Sequence, residues 1–101
     1  MGAPMVRGAA TGEWDEYRPS GAATREEVLR RWDESTEEMD AYWRQIPVER
    51  FGETTTAFGQ YTGRLVELLF YCIDNEIHHR GQGYVYLRSL GVEPPPFWER
   101  D

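Results

Sequence analysis

From Thr55 to Leu90 the chain runs without a proline, and apolar residues recur through it at helical spacing until Gly91 and the Pro94–Pro96 triplet stop it. This stretch limits the fold more than any other, because a helix beginning at Thr55 or Thr56 and ending at Leu90 would be roughly 50 Å long. Gly91 stands where a left-handed C-terminal cap is expected, and the prolines after it cannot continue the helix. Gly59 and Gly63 weaken the first turns, which leaves a kink or a later start open.

A second helix is signalled upstream. In TREE, Thr24 and Glu27 have the spacing of a capping box, with the Thr oxygen and the Glu carboxylate meeting free backbone N–H groups. Val28, Trp32, Thr36, Met39, Trp43 and Ile46 then follow at intervals of three and four residues, one face of a helix that Pro47 ends. The opposite face is rich in Glu, Asp and Arg and reads as solvated surface. PVERFGETTT reads as the connection between the two helices.

Residues 1–23, rich in Gly, Ala and Pro, read as a flexible lead-in, with residues 24–101 forming the domain. Within the lead-in Trp14 and Tyr17 are expected to pack back on the core. Phe97 and Trp98, in the tail VEPPPFWERD, are expected to fold back as well. No internal repeat is visible.

Composition narrows the function classes. With 101 residues and 40% hydrophobic content, a single small core is near the marginal size, so a partner chain is expected from the outset. A formal charge of -7 with dispersed Lys and Arg disfavours nucleic acid. No apolar run reaches a membrane span, and MGAPMVRGAATG lacks the apolar region of a signal peptide. Cys72 sits alone in an apolar run, as a reduced thiol does. The expectation is a soluble, unprocessed, cytoplasmic chain.

The chemistry concentrates in NEIHHRGQGYVYLRSL, residues 75–90. On a helical wheel with His79 at the top, Leu65, Leu68, Cys72, Gly83, Tyr86 and Leu90 fall within about 40° of it. Asn75, Glu76 and Gln82 flank it within roughly 60°, with His78 and Arg80 off to the two sides. The stripe therefore faces the expected core. Buried polar groups need partners, so these residues either satisfy one another and the facing helix or line a site inside a helical bundle, with Gly83 leaving room for it.

The run HHRGQGYVYLRSLGVEPP, from His78 to Pro95, resembles the C-terminal signature of the DinB-like (damage-inducible, YfiT-like) family, in which a last helix reads H-x-x-x-H-R-G-Q followed by Leu-Arg, Gly and prolines. The resemblance extends in order from Thr24 to Pro96. It implies an all-α fold: half of an up-down four-helix bundle, two long helices plus loops, completed by homodimerisation or by an N-terminal half. It also implies a divalent metal, zinc or nickel, held by three histidines. His79 takes the place of the final ligand, and Asn75 takes the place of the one four residues earlier. An amide oxygen is a weak ligand for a metal that prefers imidazole, so the metal site is expected to be degenerate. Glu76, His78, Arg80 and Gln82 complete the network.

Two functions from different classes follow. One is a non-catalytic helical module that acts as a homodimer or as a scaffold for a small molecule or protein. The alternative is a metal-dependent thiol transferase or hydrolase, in which His79 binds the metal and Arg80 or Gln82 orients the substrate. Neither involves nucleic acid or membrane.

Overall fold

A computed structural model describes residues 2–14 and 21–99. Among them are three helices and one antiparallel hairpin: α1 (Gly2–Thr11), α2 (Arg25–Trp43), a 3-10 turn (Val48–Gly52), β1 (Thr54–Ala57), β2 (Tyr61–Arg64) and α3 (Leu65–Ser89). This corrects the expected all-α half-bundle of two long helices in two places. A third helix stands within residues 1–23, and a β-hairpin replaces the first turns of the long helix. The expected packing of Tyr17 lies outside the described residues.

α1 carries little apolar periodicity because, Met5 and Val6 apart, its buried face is made of the small residues Ala3, Gly8 and Ala9. Ala3, Met5, Val6 and Ala9 are buried on it, and Pro4 falls in the first turn, where a missing N–H breaks no helical bond. Gly8 has a positional reason: a side-chain carbon there would collide with the indole of Trp14. Trp14 does fold back, bridging two small clusters. Val6, Ala9, Ile46 and Leu65 form one, with Met39, Tyr42 and Phe51 against it. Met5, Ala57 and Leu68 form the other, beside Phe58 and Cys72.

α2 begins at its expected cap. Thr24 Oγ1 accepts from the Glu27 N–H at 3.1 Å, while the Glu27 carboxylate reaches past Thr24 to accept from the Ala23 N–H at 3.1 Å. That backbone donor, helped by Arg31, holds the Glu27 carboxyl below its usual value. The stripe on α2 is only partly used. Met39 packs towards α1 and Ile46 is buried just beyond the helix, but Trp32 is 66% exposed and no residue of α2 itself is buried.

The hairpin arises where β-branched Thr54–Thr56 precede a turn built on Phe58 and Gly59, both with positive φ (54° and 68°), as a type I′ turn requires. Ala57 pairs with Tyr61 and Thr54 with Arg64. Left-handed backbone is not helical, so α3 starts only after β2.

At that start the Glu67 carboxylate accepts from the Arg64 N–H at 3.2 Å and from the Arg64 guanidinium at 2.6 Å. Those bonds lower the Glu67 pKa. The other end is a Schellman motif: with Gly91 at φ 77°, Val92 N–H donates to the Leu87 carbonyl at 2.9 Å and Gly91 N–H to Arg88 at 3.0 Å.

α1 packs chiefly on α2 and less on α3, and α2 and α3 barely meet. Only Leu65 and Leu68 of α3 are buried, so its later turns project. The radius of gyration, 15.5 Å, accordingly exceeds the roughly 13 Å of a compact chain of this length. Phe97 and Trp98 meet each other edge to face, and both remain exposed rather than folding back. No helix among the described residues is long and apolar enough to cross a membrane.

Candidate functional site on the last helix

The six sequence-derived site residues all lie between Asn75 and Gln82, on the middle turns of α3 and beyond its contact with the core. Asn75 and Arg80 are half-buried, while Glu76, His78, His79 and Gln82 are exposed. The stripe that buries Leu65 and Leu68 thus continues as an open surface through His79 to Tyr86, 66% exposed, and Leu90, 77% exposed. Among the described residues no polar or charged side chain is buried. The expected core position of His79 is corrected accordingly. A regular helix carries the stripe forward, but the body ends before it does.

One contact links members of the set. His79 Nδ1 lies 2.9 Å from Gln82 Oε1, one turn on. An amide oxygen only accepts, so the imidazole carries its proton on Nδ1 in this arrangement and turns the Nε2 lone pair outward when neutral. His78 stands edge to face with His79 at a ring separation of 5.3 Å. Asn75 shares the face of His79 one turn earlier, and Arg80 leaves it on one flank.

The donor set can be compared with the needs of a metal. Zinc or nickel in a catalytic site takes about three protein ligands, usually imidazole, thiolate or carboxylate. Among the described residues no three His, Cys, Asp or Glu side chains are grouped to hold an ion. His79 and the neutral amide of Asn75 do not amount to such a set. Cys72, one turn before Asn75 on the wheel, is half-buried, and burial raises its thiol pKa and disfavours the thiolate a metal would need.

A second feature was not legible in the sequence. A cleft of about 240 Å³ opens between α1, the 3-10 turn and β1, lined by Gly8, Trp14, Arg50, Glu53, Thr54 and Leu65. Its only contact with α3 is the first residue of that helix. His79 lies 14 residues further along, about 21 Å at the helical rise, so cleft and polar stripe are separate features.

The sequence model of the DinB family matches residues 9–101. The chain belongs to the DinB family. A curated relative, an uncharacterized protein (YjoA) of Bacillus subtilis strain 168, is 36% identical over 69 residues, covering 64% of this chain and 44% of the relative. This DinB-family chain therefore spans less than half the length of that relative.

Proposed function

We propose that this DinB-family chain is a recognition module without a catalytic metal centre, in which the Asn75, His79 and Gln82 face of α3 binds a small polar ligand or a protein through hydrogen bonds. The observation that carries this is the pairing of His79 Nδ1 with Gln82 Oε1 on an exposed face whose preceding turn offers Asn75, an amide, where a metal site needs an imidazole. Amide and imidazole groups side by side present both donors and acceptors to a ligand.

The test is the metal content of untagged protein by mass spectrometry, followed by zinc and nickel titration in a calorimeter. Substoichiometric metal and weak, undifferentiated titration are expected. One ion bound per chain would overturn the reading and favour a metal-dependent thiol transferase or hydrolase.

A further inference from the structure

The outer face of α3, opposite Leu65 and Leu68, carries Phe70, Ile73 and Ile77, which are 59%, 52% and 51% exposed. With Gly81 and Tyr84 they form one stripe at helical spacing, centred on Ile77. A soluble helix normally turns its charged side to solvent. Here the side away from the core is apolar along nearly four turns, which leaves a surface for another helix.

The charges on α3 say which helix. Glu67, Asp74 and Glu76 all precede Ile77, and Arg80 and Arg88 both follow it, so the helix is acidic in its first half and basic in its second. An antiparallel copy centred on Ile77 sets each acidic half against a basic half and opposes the two helix dipoles, whereas a parallel copy stacks like charges. Relative to Ile77, Glu76 and Arg80 lie on the same flank of the wheel, and a twofold axis perpendicular to both helices keeps them on one side. Glu76 then comes within about two residues, or 3 Å along the axis, of the partner's Arg80. Gly81, with open space around it, faces Ile73 of the second copy and lets the helices approach closely.

We infer that the Ile77 face of α3 is an isologous interface, covered by the same face of a second copy of this chain running antiparallel. It lies on the opposite side of the helix from His79 and leaves the recognition face open.

Sedimentation equilibrium on the 101-residue chain tests this, with an expected mass of twice 11.8 kDa at micromolar concentration. Ile77→Glu, which sets two carboxylates together at the twofold axis, is expected to weaken association on the order of 100-fold or more with the helical circular dichroism unchanged. Arg80→Glu alone weakens it less, and adding Glu76→Arg restores it, because the swapped pair is again complementary. That swap keeps the test decisive if Ile77→Glu loses helicity. A monomeric parent, a dimer indifferent to Ile77→Glu, failure of the double swap to restore association, or a dimer dissociated by Tyr86→Glu on the opposite face would each overturn the inference.

Discussion

Arg50 donates from Nη1 to the carbonyl of Ala10 at 2.8 Å, and to that of Ala9 at 3.0 Å, so a side chain 40 residues away closes the C-terminal end of α1. The guanidinium supplies donors to carbonyls left without helical partners and places positive charge at the negative end of the helix. α1 has few large side chains with which to hold itself down. Arg50→Met keeps the apolar stem and removes the donors, so it is expected to lower stability by about 1–3 kcal/mol in urea unfolding. Loss of less than about 0.5 kcal/mol would mean that these bonds merely replace equivalent ones to water.

Gly8→Ala sets two effects against each other. Alanine favours a helix interior over glycine by about 1 kcal/mol. Here the added carbon meets the Trp14 ring, which is held in both core clusters and cannot withdraw without cost. Overpacking of this kind costs about 1–3 kcal/mol, so the expected net change is a destabilisation, with a lower thermal midpoint and altered tryptophan fluorescence. A stabilised variant would show that Trp14 moves aside freely.

Gly59→Ala isolates the backbone. No atom stands near an added side-chain carbon, yet φ is 68°. The expected loss is about 1–2 kcal/mol in chemical denaturation. Gly59→Asn is expected to lose less, since Asn tolerates left-handed backbone. Equal losses for the two would point to a steric cause instead.

Acid is expected to destabilise the start of both long helices. Arg64 first, through its guanidinium and then its N–H, depresses the Glu67 pKa, and the Ala23 N–H together with Arg31 depresses that of Glu27. A depressed carboxyl contributes stability above its unfolded pKa, about 4.3, and that contribution disappears as pH falls through the folded value. The denaturant midpoint should therefore fall as pH is lowered from about 5 towards 3. In Glu67→Gln the fall should be shallower, and an identical acid profile would exclude this origin.

His79→Ala is expected to change stability by less than about 0.5 kcal/mol, the usual range for an exposed position. Asn75→His tests the same surface in the other direction. It places two imidazoles one turn apart on a shared face, and zinc or nickel affinity should rise measurably in calorimetry. No gain would show that the two positions do not converge on one ion.

The sequence by itself determined the elements whose signals are local. Thr24 and Glu27 mark the start of α2, and Gly91 marks the end of α3, because caps are closed within a few residues of chain. HRGQ, YLR and the prolines marked the family for the same reason. Tertiary structure decided the rest. α1 becomes a helix only because Ala3, Val6 and Ala9 find a surface and Arg50 reaches its end, neither of which a run of Gly and Ala reveals. Phe58 and Gly59 turn the chain back because Trp14 receives the Phe58 ring, at a centroid separation of 5.3 Å, and so supports a backbone conformation that Phe rarely adopts. The wheel correctly grouped Asn75, His79, Gln82 and Tyr86 on the face of Leu65 and Leu68. Whether that face is covered depends on what packs against it, and here the body of the protein reaches only the first turns of α3. Periodicity determines which residues share a side of a helix, whereas burial depends on neighbours distant in the chain.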